Sequence, residues 1–116
     1  MEFKIINVSY IEEVCDNSAE LIREMVDIFR DQVSEFSDSM TSLYQEGNHY
    51  DLGLLAHKAK SSVAIMGMDD LAAKLKELEI NAKEGTEPET YYDHINAFKE
   101  QTGEAMKELE TYLKSL

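Results

Sequence analysis

The sequence predicts an all-α protein, an antiparallel up-and-down four-helix bundle with a short extra N-terminal helix. The composition favours helices, because Leu, Ala, Glu, Lys and Met are frequent and the 116 residues include one proline and five glycines. Four long stretches repeat apolar residues every three or four positions, which is the period of one helix face. The connections between these stretches are short, and short connections make neighbouring helices antiparallel.

Length and charge limit the classes of protein to be considered. A chain of 116 residues corresponds to one domain, in which we expect residues 1–16 to form an arm and a short helix and residues 17–116 the bundle. The formal net charge of −13 argues against binding to nucleic acid or to an anionic membrane surface. The first residues lack the apolar core of a signal peptide, and the single cysteine excludes an internal disulfide. We therefore expect a cytoplasmic protein.

Two stretches with capping-box spacing predict where the first helices begin. Residues Ser9 to Glu12 predict a short helix that follows an extended arm and ends near Asp16. Residues Asn17 to Glu20 repeat the spacing and predict a long second helix that continues to about Gln45. Its predicted apolar face consists of Leu21, Met25, Phe29, Val33, Phe36, Met40 and Leu43.

Glycines and capping residues divide the remaining chain into three more helices. Gly47 separates the second helix from a third one, which Gly67 ends. The fourth helix ends at Gly85, and its predicted buried stripe is Leu71, Leu75, Leu78 and Ala82. Residues Thr86 to Glu89 predict a capping box for the last helix, with a proline in the tolerated first turn. The predicted buried stripe of that helix is Tyr91, Ile95, Phe98, Thr102, Ala105, Leu109 and Leu113.

The third helix carries a histidine, His57, that lies off its apolar face. At about 100° per residue, one face is formed by Leu52, Leu55, Ala56, Ala59, Val63 and Met66. His57 points away from that face, and its side of the helix also carries Gly53, Lys60, Ser61 and Ala64. Lys60 follows three residues later and is a helical neighbour. An imidazole beside an ammonium group and among small residues suits a histidine that a bulky partner must reach.

These residues resemble a known signalling family. The pattern His57-x-x-Lys60-small-Ser62, with Gly67 closing the helix, resembles the histidine-containing phosphotransfer (HPt) domain of two-component phosphorelays. The similarity extends to Leu71 and to the pair Leu78-Glu79, and with the flanking helices it covers nearly the whole chain. One position departs from the family pattern, because Ser61 stands where most members have glycine.

The resemblance implies a phosphorelay intermediate. His57 would accept a phosphoryl group from a receiver-domain aspartate and pass it to another receiver domain, and Lys60 would stabilise the phosphoryl oxygens. The partners would be receiver domains of response regulators and of a hybrid histidine kinase. The aspartate and the Mg²⁺ would belong to the receiver, so that this chain would bind no cofactor or metal and would be a phosphocarrier without independent turnover. We expect a monomer.

The residues around His57 supply the predicted docking and orienting groups. Gly53, Lys58, Ser61 and Ala64 are the predicted receiver-docking residues, with Lys58 on the flank opposite Lys60. Folding the chain back at Gly47 places His57 opposite residues 32–37. We therefore expect Gln32 or Ser34 to hydrogen-bond the imidazole and orient it.

Two other classes of protein fit parts of the sequence. A helical adaptor, in which His57 is incidental, explains the bundle but leaves the exposed histidine and lysine unexplained. An acyl-carrier-type protein would also be small, acidic and helical, and Asp38-Ser39-Met40 faintly resembles its attachment site. The serine of such a site opens a helix, whereas Ser39 falls inside the predicted second helix. A change of His57 that abolishes signalling would exclude the adaptor, and an added phosphopantetheine mass would support the carrier.

Overall fold

The computed structural model describes residues 3–116, and the regular elements in that range are helical. The predicted all-α class is therefore confirmed. A 3₁₀ turn at Pro88–Thr90 precedes the last helix. The α-helices of the described residues are α1 (Val8–Val14), α2 (Ala19–Gln45), α3 (His49–Ile65), α4 (Asp69–Glu84) and α5 (Tyr91–Lys114). Each helix within this range is too short or too polar to cross a membrane.

Asparagine and serine side chains cap the first three helices. Asn7 accepts a hydrogen bond from the backbone N–H of Tyr10 and caps α1, so the predicted start at Ser9 is wrong by two residues. Ser18 caps α2 by accepting from Leu21, and Asn48 caps α3 by accepting from Asp51. These side chains satisfy backbone donors that have no partner inside the helix.

The predicted capping box before α5 does not form. Glu87 adopts a left-handed backbone conformation with φ of 52°, and the 3₁₀ turn begins at the next residue. The Thr86 hydroxyl instead donates to the side chain of Asn81 in α4, at 3.1 Å. The Tyr91 hydroxyl donates to the backbone oxygens of Asn81 and Thr86. This corner is therefore fastened to the end of α4 by side chains from both flanking segments.

Contacts between the long helices show their relative directions. Helix α2 packs against α3 and α5, and α4 packs against α3 and α5. Helices α2 and α5 run antiparallel, since the Lys99 ammonium group donates to the Thr41 hydroxyl, whereas the ring of Tyr44, further along α2, contacts that of Tyr92 near the start of α5. The 27 residues of α2 span about 40 Å at 1.5 Å per residue, which accounts for the molecule's long dimension of 43 Å.

One continuous hydrophobic core lies between the helices. The predicted stripe of α4 is buried in full, and that of α5 is buried except at Leu113, where the neighbouring Tyr112 is buried instead. Helix α3 and its C-cap residue contribute five buried apolar side chains to this core, and Leu55 is half-buried. The five are Leu52, Ala56, Ala59, Val63 and the C-cap residue Met66. His57 therefore projects from a helix whose opposite face is fixed by packing.

The N-terminal arm fastens the turn that follows the histidine helix. Gly67 has φ of 76°, and the backbone N–H groups of Gly67 and Met68 bond carbonyls in the last turn of α3. A Cβ on Gly67 would lie only 2.3 Å from the Cβ of Asn7, so glycine is required here for two reasons. The Glu108 carboxylate accepts hydrogen bonds from the backbone N–H groups of residues 4–6 and holds the arm on α5.

Candidate functional site

His57 lies near the middle of α3 with its side chain exposed. The side chain retains 56% of its accessible surface, although Ala56 and Ala59 beside it are fully buried. The prediction that His57 points away from the apolar face of its helix therefore agrees with its exposure. Because the backbone around it belongs to a packed helix, the ring is presented to solvent from a rigid support.

The imidazole is oriented by a carboxylate of helix α4. Nδ1 of His57 lies 3.0 Å from Oε2 of Glu79, whose side chain is only 14% exposed. Neither predicted orienting residue bonds the imidazole in this structure. Gln32 accepts a hydrogen bond from the Ser62 hydroxyl at 2.9 Å, and Ser34 is exposed on α2 without joining the His57 site. The helix that positions the ring is thus α4 and not α2.

Two lysines share the same carboxylate. Nζ of Lys83 lies 3.0 Å from Oε2 of Glu79, and Nζ of Lys60 lies 3.4 Å from Oε1. Burial alone would raise the pKa of Glu79, but the hydrogen bonds from Lys83, His57 and Lys60 outweigh it and lower the pKa to about 2. Glu79 is therefore ionised across the physiological pH range.

The ionised carboxylate determines the tautomer of the imidazole. A carboxylate without a proton can only accept hydrogen bonds, so the Nδ1 atom of His57 must carry the hydrogen that lies between them. In a neutral imidazole the lone pair is then on Nε2. The arrangement therefore presents a nucleophilic Nε2, while Nδ1 is held against α4.

Gly53 lies one turn before His57 but faces α4 and is buried. A Cβ at this position would lie 2.8 Å from Cγ of Lys83 and 3.0 Å from the backbone oxygen of Glu79. The absence of a side chain therefore allows α3 and α4 to approach closely where the carboxylate cluster forms. The predicted role of Gly53 in an exposed docking face is replaced by this packing role.

The opposite flank of α3 borders an open groove against α2. The groove has a volume of about 730 Å³, and His57, Lys58 and Ser61 line its α3 side. Its apolar lining consists of Met25, Ile28, Phe29, Phe36, Leu55, Ile65 and Met66. Ile28 and Ile65 are 58% and 40% exposed, respectively. Of the predicted docking residues, Lys58 and Ser61 thus lie beside an open apolar surface, whereas Ala64 is half-buried and lies outside the groove lining.

Glu79 and Lys83 are the two site residues that sequence reasoning did not place there. They are four residues apart on α4, a spacing that commonly pairs glutamate with lysine on a helix surface. That local signal was present in the sequence, but their contact with His57 depends on how α3 and α4 pack. Within residues 3–116, no three His, Cys, Asp or Glu side chains gather in a group able to hold a metal ion.

Comparisons with known proteins add no relative. The chain matches no protein-family model, no curated protein and no solved structure.

Proposed function

We propose that this chain is a histidine-containing phosphotransfer protein, in which His57 carries a phosphoryl group between receiver domains. The observation that carries the proposal is the exposed imidazole whose Nδ1 is held by the ionised Glu79, so that Nε2 faces outward as the nucleophile. In the finer description of the fold, α2 to α5 form an antiparallel up-and-down four-helix bundle, and α1 is an addition to it. The proposed setting is the cytoplasm, and the proposed state is a monomer.

The reaction follows from the tautomer. Nε2 attacks the phosphorus of a receiver's aspartyl phosphate, the P–O bond breaks as the P–N bond forms, and the aspartate leaves as a carboxylate. No proton has to move, because Nδ1 keeps its hydrogen. The ring becomes positively charged as the bond forms, and the Glu79 carboxylate at 3.0 Å stabilises that charge. Transfer to a second receiver reverses these steps.

Lys60 is the ammonium group that we expect to meet the phosphoryl oxygens. Its contact with Glu79 is the longest of the three at 3.4 Å, and its side chain is 27% exposed. A modest rotation would direct Nζ toward a phosphoryl group on Nε2. Phosphoryl transfer depends mainly on positioning and charge stabilisation. The receiver would supply the aspartate and the Mg²⁺, and the chain would act as a phosphocarrier without independent turnover.

The groove beside His57 supports the choice of partner surface. A receiver domain must bring its aspartate close to Nε2, and His57 is among the residues that line the groove. Lys58 and Ser61 would lie at the edge of that contact. The receivers would belong to response regulators and to a hybrid histidine kinase.

Mixing the protein with phosphorylated receiver domains tests the proposal. We expect acid-labile phosphate to appear on the wild-type protein and ³¹P NMR to place it on Nε2 of histidine. A His57→Gln variant should accept none and should keep its circular dichroism and melting temperature within a few degrees, since the His57 side chain lies outside the core. Phosphate on the variant, or on Nδ1 of the wild type, would contradict the proposed chemistry.

The adaptor hypothesis makes the opposite prediction. The apolar groove alone would also suit a protein that only binds partners, and in that case His57→Gln would keep its signalling output in the cell. Loss of output with unchanged partner binding would exclude the adaptor.

A further inference from the structure

We propose that Lys83 is a positioning residue for His57, acting through Glu79 and not through the phosphoryl group. The effect on transfer rate rests on the proposed function, whereas the effect of Lys83 on the tautomer of His57 does not depend on it. Lys83 and His57 both bond the same carboxylate oxygen, Oε2 of Glu79, each at 3.0 Å. The position of the oxygen that orients the imidazole is therefore fixed by Lys83 as well.

The stem of Lys83 is held by helix packing. Its Cγ would lie 2.8 Å from a Cβ at Gly53, so the side chain runs across the bare backbone of α3. Only 32% of the side chain is exposed, although its ammonium group reaches the site. Lysine normally has large rotamer freedom. Here the close approach of the two helices removes part of that freedom before any partner binds.

Charge balance explains why a lysine is required at this place. Glu79 is nearly buried, and a buried carboxylate without compensation is unfavourable. In its neutral form the imidazole of His57 provides a hydrogen bond but no charge, and Lys60 lies on the other oxygen at a longer distance. If Lys60 turns toward an incoming phosphoryl group, Lys83 is the lysine that stays on Glu79 before the P–N bond forms and gives the imidazole its charge. Lys83 would thus hold the Glu79 carboxylate in place as the phosphoryl group approaches.

The carboxylate oxygen that each lysine bonds separates Lys83 from Lys60. Lys83 bonds Oε2, the oxygen that Nδ1 of His57 also contacts, whereas Lys60 bonds Oε1. The structure therefore assigns Lys83 an indirect effect, namely selection of the Nδ1–H tautomer. Lys83→Met keeps an apolar stem of similar length but removes the charge. Lys83→Arg keeps the charge and a donor for Oε2.

NMR of the unphosphorylated protein tests the tautomer directly. Long-range ¹⁵N–¹H spectra at about pH 8.5, where imidazole is neutral, distinguish protonated from unprotonated ring nitrogens. His57→Gln identifies the relevant signals among the three histidines. In the wild type we expect a protonated Nδ1 and an unprotonated Nε2. Lys83→Met should move the two ¹⁵N shifts toward each other, while Lys83→Arg should restore them. Lys76→Met, at an exposed lysine of the same helix, should leave them unchanged. Wild-type shifts in Lys83→Met would overturn the proposal.

Single-turnover transfer from a phosphorylated receiver tests the indirect mechanism. Lys83→Met should slow transfer about tenfold, the lower end of what loss of a histidine-orienting partner costs at metal sites. In a Glu79→Gln background the same substitution should have no further effect. Multiplying effects would mean that Lys83 acts on the phosphoryl group itself, which would overturn the inference. A wild type that accepts no phosphate would refute the proposed function, and the NMR result would still decide the role of Lys83.

Discussion

The two flanks of helix α3 differ in packing and in polarity. Toward α4, the helices approach so closely at Gly53 that a Cβ there would overlap the side chain of Lys83. On the same flank, the Glu79 carboxylate accepts hydrogen bonds from three side-chain nitrogen groups. Toward α2, an apolar groove of about 730 Å³ stays open beside Lys58 and Ser61. His57 lies on the border, with Nδ1 bonded to α4 and its ring lining the groove. One flank therefore orients the imidazole, while the other gives access to it.

The largest expected effect concerns the oriented flank and its dependence on pH. The pKa of Glu79 is about 2 in the folded protein, below its ordinary value of 4.5. Its ionised form is therefore stabilised by folding, which contributes fully above about pH 4.5 and is lost as the pH falls through about 2.

Urea unfolding of wild type and Glu79→Gln between pH 5 and pH 2 measures this contribution. The difference in unfolding free energy should be largest at pH 5 and should shrink toward pH 2. Glu77→Gln, which changes an exposed carboxylate on the same helix, is the matched control and should show a much smaller difference. A Glu79→Gln difference that stays constant over the whole range would show that the cluster does not depend on the charge of Glu79.

Substituting alanine for each of two helical glycines, Gly53 and Gly103, tests how closely α3 and α4 are packed. Replacing a helical glycine by alanine normally stabilises a helix by about 1 kcal/mol. Gly103 lies in α5 with open space around it, so Gly103→Ala should show that gain. Gly53→Ala should instead lose about 1 kcal/mol, because the new methyl group meets Lys83 and the backbone of Glu79 and costs about 2 kcal/mol. Chemical denaturation measures both values, and equal stabilisation by both substitutions would show that the helices separate easily.

A bulky residue on the α2 flank of α3 should slow phosphoryl transfer without changing stability. Ser61 is exposed and lines the groove, so Ser61→Trp should leave the unfolding free energy nearly unchanged. It should slow phosphoryl transfer from a receiver more than tenfold, which corresponds to a barrier increase of more than about 1.4 kcal/mol. Ser61→Gly should be tolerated, at a helix-propensity cost of about 0.5 kcal/mol. Ala73→Trp, on an exposed position of α4, controls for added bulk. If Ser61→Trp accepted phosphate at the wild-type rate, the receiver would have to dock on another surface.

The sequence predicted the features of this comparison that depend on one helix at a time. The apolar period of α4 identified its buried residues, and the same reasoning on α3 identified His57 as exposed. It misplaced the start of the buried face of α2, where Leu21 is 49% exposed and Ile22 is buried instead. The other features that it missed depend on the register between helices. Glu79 is 22 residues from His57, and nothing in the local pattern states which side chains of α4 meet α3. Gly53 shares a side with His57, so a helical wheel could not tell close packing from an open face.

Capping residues were a second source of error, for a different physical reason. The short polar side chains near Ser9 and Thr86 each offer several possible hydrogen bonds to the backbone. Asn7 caps α1 two residues earlier than predicted, and Thr86 bonds α4 instead of starting α5. In both cases, the packing of the chain against neighbouring helices decides which of these hydrogen bonds forms.

The smallest expected effect separates the two lysines nearest to His57 on its own helix. Lys58 and Lys60 are two residues apart and therefore point about 200° away from each other. Lys60 reaches the α4 flank and contacts Glu79, whereas Lys58 is exposed and borders the groove. Both would attract an acidic receiver pocket over a distance. Only Lys60 is placed to leave Glu79 for a phosphoryl group.

Lys60→Ala should therefore slow transfer about threefold more than Lys58→Ala at physiological salt. An exposed charge such as Lys58 contributes less than about 1 kcal/mol and is screened beyond about 8 Å. Raising the ionic strength should remove the Lys58 effect first and should leave most of the Lys60 effect, because a direct contact is screened less. Single-turnover transfer at two salt concentrations measures both variants. Equal defects that disappear together would mean that the lysines only steer the encounter, and the difference between the two flanks would then reside in Glu79 alone.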